Sequence, residues 1–141
     1  MTEKYLDAVC RERQSVNPLF NFLRVRIGIE SEGRARLTLP VGPGLIQGGG
    51  AVAGGILATM ADEVMAHAVM SAIDARQSIV TVEMNMRYLR SAGPCREADL
   101  YAVGRLLKRG KNLCTAESEV FDEKDRLLAA AGATFYVLNR P

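Results

Sequence analysis

Residues 47–72 read QGGGAVAGGILATMADEVMAHAVMSA. A glycine-rich loop runs into a long apolar helix that carries one acidic pair, Asp62-Glu63. Glycines at a helix start let a ligand approach backbone N–H groups, and the dipole there favours negative charge. The helix spans about 20 residues, from near Gly54 to Ile73, or about 30 Å. Its few polar positions require cover on most sides.

The flanking segments supply that cover. Arg24 to Glu30 and Ala35 to Leu39 alternate apolar and polar residues around a Glu32-Gly33 turn, which is strand periodicity. Pro40, Gly42, Pro43 and Gly44 end the second strand. After the helix and a connection at 74–78, Ile79 to Ser91 reads as a long strand. Val80, Val82, Met84, Met86 and Tyr88 share one face, and Thr81, Glu83, Asn85 and Arg87 the other. Gly93-Pro94 turns the chain. Leu100–Leu107, Leu113–Phe121 and Leu127–Leu138 follow as strands, with a hairpin at Arg109-Gly110-Lys111-Asn112 and a polar turn from Asp122 to Asp125. Upstream, Thr2 caps a first helix with Tyr5, Leu6, Val9 and Cys10 on one face, and Asn17-Pro18 introduces a short helical turn to Leu23. The N-terminal helical segment thus covers about residues 1–23. One long helix followed by a run of antiparallel strands is an α+β pattern in a single domain, residues 1–141. Long strands leave edges that pairing with a second subunit would remove.

Bulk properties narrow the function. The chain has 141 residues, 48% hydrophobic and 24% charged, with a net charge of +2. That charge is too near neutral to argue for nucleic acid as a partner. Cys10, Cys95 and Cys114 form no CxxC pair and no metal-ligand spacing with the single histidine, so no metal is expected. The charged start, MTEKYLDAVCRERQ, lacks the apolar core of a signal peptide, and Asp62-Glu63 interrupts the best apolar run. The expectation is a cytoplasmic protein without membrane association.

Along the helix, Thr59, Glu63, His67 and Ser71 form one polar row at i, i+4 spacing. Its plainest reading is a solvent-facing stripe, which removes His67 from catalysis. Asp62 lies about 100° round the helix. Its neighbours at helical spacing are Ala58, Met65, Ala66 and Val69. Two readings stay open: a desolvated carboxylate whose pKa rises toward that of a useful base, or a wet residue at the margin of the stripe. Gly54 and Asp62 are eight residues apart, about 12 Å along a helix. If both act on one small reacting group, they come from different subunits. Thr81 is either a strand former or a polar partner, and Lys108, Arg109 and Lys111 are either solvated hairpin charges or a ligand site.

Read together, Gln47–Met70 and Thr81–Ala92 resemble the hotdog-fold thioesterases, more specifically the phenylacetic-acid-degradation type of acyl-CoA thioesterase. The family pattern is a loop, His-Gly-Gly, a helix of the form xxATLAD and a strand of the form TVExNxxYLRPA. Here these read Ala53-Gly54-Gly55, Ile56 to Asp62, and TVEMNMRYLRSA. The resemblance implies a long helix wrapped by a curved antiparallel sheet, and a homodimer or dimer of dimers with active sites at the subunit interface. It implies hydrolysis of an acyl-CoA thioester, with coenzyme A as part of the substrate and no other cofactor. The family's carboxylate falls on Asp62, as general base or nucleophile. The glycine whose N–H polarises the carbonyl falls on Gly54, the strand hydroxyl on Thr81, and a polar loop residue, often Asn, on Gln47. Two departures stand out: the usual histidine is Ala53 and the usual asparagine is Gln47.

On this reading the acyl group lies beside Gly55 and against Met60, Met65 and Val69, whose flexible methionines suit an adaptable pocket. Arg90, Lys108, Arg109 and Lys111 are the candidate partners of the coenzyme A phosphates. The alternative is a protein that senses acyl-CoA without hydrolysing it, for which Ala53 is the supporting feature. A hydratase or dehydratase ranks last, because it needs an acid–base pair and the single histidine sits on the expected wet row.

Overall fold

A computed structural model describes residues 2–93 and 98–141, with side chains from residue 5 onward. Among the described residues, three α-helices, α1 (Thr2–Val9), α2 (Pro18–Leu23) and α3 (Gly54–Met70), accompany six strands. The strands are β1 (Arg26–Ser31), β2 (Arg34–Pro40), β3 (Gln77–Tyr88), β4 (Asp99–Arg109), β5 (Leu113–Phe121) and β6 (Leu127–Asn139). They form one antiparallel sheet in the order β1-β2-β4-β5-β6-β3, and α3 packs on one face of it, mainly over β4 and β5. The roles expected of Thr2, Pro94 and Cys95 fall outside the described side chains and residues.

Local chemistry sets the boundaries. Asn17 Oδ1 accepts from Phe20 N at 3.1 Å, which caps α2. Arg24 then adopts the left-handed conformation (φ 61°) and closes that helix, so β1 starts at Arg26, two residues later than expected. Helix α3 stops at Met70, three residues earlier than expected, because Ser71 N and Ala72 N bond to His67 O and Val69 O in a tightening last turn. Cys10 lies just past α1 and is exposed, while Val9 is buried. The β5–β6 turn is built on Asp122. Its buried carboxylate accepts from Lys124 N, Arg126 N and Arg126 Nε at 2.9, 3.0 and 2.7 Å.

Helix α3 lies very close to the sheet. The strand positions beneath it include Ala102 and Gly104 on β4, Ala116 on β5 and Ala133 on β6. A Cβ at Gly104 would stand 2.6 Å from Val64 O and 3.0 Å from Met65 N, so the helix backbone rests on the strand backbone there. Leu57, Met60, Val64, Met65 and Val69 fill the space on either side, against Leu37, Leu100, Val120 and Phe135. Met60, Met65 and Val69 are therefore core side chains with at most 1% exposure, which corrects their expected place, and that of Met65 above all, in a substrate pocket.

The second correction concerns β3. Its pairing with β6 runs Thr81↔Phe135 and then Glu83↔Thr134, which leaves Val82 as a bulge. One extra residue reverses which side chains point to each face. Opposed residues of a pair share a face, so Thr81 lies with the buried Phe135 on the helix side, whereas Glu83 and Asn85 stay on the outer side. The uniform alternation read from the sequence breaks at Val82.

Gly104→Ala should lose about 1–3 kcal/mol, since the new methyl can be fitted only by moving backbone. The expected readout is a lower urea midpoint with an unchanged m-value.

Candidate active site

Two groups of candidate residues lie at different places along α3. At its N-terminus, Ala53 is the N-cap and contributes no side-chain cap. Its carbonyl receives Ile56 N and Leu57 N at 2.9 and 3.4 Å. The N–H groups of Gly54 and Gly55 have no acceptor among the described residues, as expected of a helix's first turn, and both glycines are exposed. Tyr88 Oη donates to Gly54 O at 2.8 Å and so fixes the Gly54–Gly55 peptide. Beside them, Gln47 N bonds to Ala51 O and Gly50 N to Gln47 O, a tight turn that needs the positive φ of Gly50 (90°). The Gln47 side chain folds back on Gly49 N. Gln47, Gly54, Leu57, Tyr88, Leu89 and Arg90 line an open groove of about 350 Å³.

Two turns further along the helix, Asp62 is half-buried, and its Oδ1 accepts from Thr81 Oγ1 at 3.0 Å. The bulge at Val82 brings that hydroxyl to the carboxylate. Asp62 is thus neither sealed among apolar neighbours nor simply wet: a single exposed hydroxyl holds it at the α3–β3 seam.

The strongly desolvated acid is its neighbour. Burial, and next to it the charge of Asp62, push Glu63 up to about 7. The expected solvent stripe is an internal row at this point. His67 is 1% exposed. Its Nδ1 donates to Glu63 O at 2.7 Å, which leaves Nε2 to accept from Tyr5 Oη at 3.0 Å; Asn17 Nδ2 donates to the same hydroxyl oxygen at 3.0 Å. Burial pushes His67 down to about 4. The 3.8 Å approach of Nδ1 to Glu63 Oε2 is accordingly not an ion pair at neutral pH. Periodicity found this row but not its direction, because α1 and α2 cover it.

The basic candidates separate. Arg90 is exposed in the groove beside Gly54. Lys108 and Lys111 are exposed at the β4–β5 hairpin, toward the opposite end of α3. Arg109 Nε donates to Ala72 O at 2.8 Å and Nη2 reaches Gln77 Oε1 at 3.4 Å, which ties the helix end to the start of β3. Tyr88 and Glu63 are the positions that sequence reasoning missed. Tyr88 stands inside the matched YLR stretch, and Glu63 adjoins Asp62.

A long helix wrapped by a six-stranded antiparallel sheet is the hotdog fold. A model of the thioesterase superfamily matches residues 49–129, more than half of the chain, and the chain belongs to that superfamily. A proposed esterase of Halobacterium salinarum is 33% identical over 112 residues, 76% of this chain and 72% of that protein. The solved structure of a thioesterase family protein from Silicibacter pomeroyi superposes with a TM-score of 0.80 at 26% identity, covering 88% of this chain and 91% of its own. The PaaI protein of the E. coli phenylacetic acid degradation operon gives a TM-score of 0.80 at 20% identity, covering 88% and 86%; that likeness speaks to fold alone. Thioester hydrolysis, in the broad sense, is the chemistry of the family. Among the described residues, no helix is long and apolar enough to cross a membrane.

The buried acid and imidazole give opposite pH effects. Glu63 keeps its proton more tightly in the fold, so its contribution to stability is full below about 4.5 and lost as pH rises through about 7. His67 gives its proton up more readily, so its contribution is present above about 6.5 and lost as pH falls through about 4. Glu63→Gln removes the first effect. Its unfolding free energy, relative to wild type, should rise as pH climbs from about 4.5 to about 7. Urea titrations across that range measure the difference, and a flat difference would contradict a buried acid.

Proposed function

We propose that the protein is an acyl-CoA thioesterase of the phenylacetic-acid-degradation type, acting as a homodimer or a dimer of dimers. The observation that carries this reading is the division of the candidate groups along α3. Gly54 and Asp62 sit on one continuous helix, about 12 Å apart along its axis, too far to meet one carbonyl within a subunit. A two-fold pairing that set two such helices side by side would bring Gly54 of one copy to Asp62 of the partner subunit. The sheet offers a means. Strand β3 is an outer strand, and Val80 and Val82 on it are 48% and 56% exposed.

In this mechanism the thioester carbonyl oxygen approaches Gly54 N–H at the helix N-terminus. Negative charge that develops on the oxygen is stabilised there, and one such donor is worth about 3–4 kcal/mol. Asp62 of the partner subunit takes a proton from water as the water attacks, or attacks the carbonyl itself to form a mixed anhydride that water then cleaves to the acid and free Asp62; both routes release the coenzyme A thiolate. Thr81 donates to one carboxylate oxygen and leaves the other for this task. Gln47 borders the groove where the water would sit, and Ala53 leaves the approach to the thioester sulfur unobstructed. Gly55 offers a second N–H at the same turn. Arg90, Lys108, Arg109 and Lys111 remain the candidates for the coenzyme A phosphates. Of these, Arg90 has the most direct support, since it lines the groove at Gly54.

Asp62→Asn should remain folded and dimeric but lose turnover of its best acyl-CoA by at least about 100-fold. Thiol release across an acyl-CoA panel, with sedimentation as the control, reads both. Ala53, in place of the family's histidine, favours a second reading, a sensor that binds acyl-CoA without turnover; calorimetric binding with no thiol release from wild type would select it. Tyr88→Phe should lower kcat about fivefold, as expected for one lost hydrogen bond that aligns the Gly54–Gly55 peptide. An unchanged kcat would remove Tyr88 from the site.

A further inference from the structure

A second cavity of about 400 Å³, large enough for a small-molecule group, opens along the same seam between α3 and β3. Tyr5, Glu63, His67, Met70, Ser78, Ile79 and Arg140 line it. It adjoins the Asp62–Thr81 pair from two sides. Glu63 follows Asp62 on the helix, and Ile79 lies two residues before Thr81 on the helix-facing side of β3, about 7 Å along the strand. An acyl group whose carbonyl carbon lay near Asp62 would extend into it. The methionines that the sequence suggested for this purpose are sealed in the core.

We propose that this cavity receives the distal end of the acyl group, and that Glu63 makes it selective for acyl groups carrying a hydroxyl there. The inference rests on the thioesterase reading above. The chemistry of the lining argues for a hydroxyl. Tyr5 Oη already donates to His67 Nε2 and accepts from Asn17 Nδ2, and His67 Nδ1 already donates to Glu63 O. The Glu63 carboxyl makes no hydrogen bond to another side chain among the described residues, apart from the long approach to His67 Nδ1. Met70 and Ile79 supply the apolar wall for the methylene chain. An alkyl end would cover the carboxyl and leave it without a partner. A carboxylate end would meet Glu63 and the neighbouring Asp62, with the exposed Arg140 and the Ser78 hydroxyl in its favour but two carboxyls against it. A hydroxyl can donate to Glu63 when the acid is ionised and accept from it when it is protonated; the acid titrates near 7, so both states occur.

The test compares hexanoyl-CoA with ω-hydroxyhexanoyl-CoA on the full chain. Wild type should favour the hydroxylated substrate by about tenfold or more in kcat/KM. Glu63→Leu should bring that ratio to about one or below, and Glu63→Gln should keep most of it. Taking the ratio cancels any effect of the substitution on Asp62. Glu63→Ala replaces the leucine variant if the latter does not fold. A wild-type ratio near one, or a ratio unmoved by loss of the carboxyl, overturns the proposal. Failure of the thioesterase reading looks different, because neither substrate is then turned over. In that case calorimetry with the two ketone analogues, in which CH2 replaces the sulfur, decides: tighter binding of the hydroxylated analogue, lost in Glu63→Leu, supports the pocket, and equal binding overturns it.

Discussion

The contact on which the rest depends is between two backbones. At Gly104 of β4 the strand has no side chain, and the Val64–Met65 peptide of α3 occupies the space where a Cβ would stand. Alanines on the adjoining strands let the helix sit low over its whole middle section. Once it is there, the large helix side chains have no route except sideways into the core. That seals Met60, Met65 and Val69 in the core, while Gly54 and Gly55 stay exposed and Asp62 half-buried. Packing at this density also fixes the position of Gly54 relative to Asp62, since a helix seated on the strand backbone at Gly104 cannot bend to bring them together.

The bulge at Val82 adjusts the seam. Without it, a hydroxyl at position 81 would face outward with Glu83, and Asp62 would stand without that partner. With it, the acidic pair divides into two environments. Asp62 is held at the open side by a hydroxyl, while Glu63 turns toward a covered space shared with His67 and Tyr5. Burial raises Glu63, the second of the two adjacent carboxyls, to about 7. The N-terminal helices are what make this division possible, because they close over a row that would otherwise be wet.

Residue pattern and family membership agree on thioester chemistry, and the arrangement within a single subunit explains why a second copy belongs in the proposed mechanism. The N-terminal end of α3 presents free N–H donors without an acid, and its middle presents an acid whose donor partner is the Thr81 hydroxyl. Tyr88 reaches from the end of β3 to the Gly54 carbonyl, so the strand that contributes Thr81 also supports the donor end. A change in the pitch of β3 would disturb both halves together.

The sequence by itself determined the elements, their order and the fold class. Apolar periodicity and turn residues are local signals, and α3, β5 and the α2 turn stand where those signals put them, with boundaries shifted by two or three residues where a left-handed Arg24 or a tightened last turn intervened. Spacing that a family shares also marked Gly54, Asp62, Thr81 and Gln47 as candidates. What only the tertiary structure decided was direction: which face of β3 carries Thr81, whether the row through Glu63 and His67 looks inward, whether Met65 meets a substrate or the core, and that Tyr88 holds the glycine peptide. A period of 3.6 or 2 says which residues share a face. It does not say what covers that face, because the cover comes from segments distant in the chain, and one bulged residue is enough to reverse the answer.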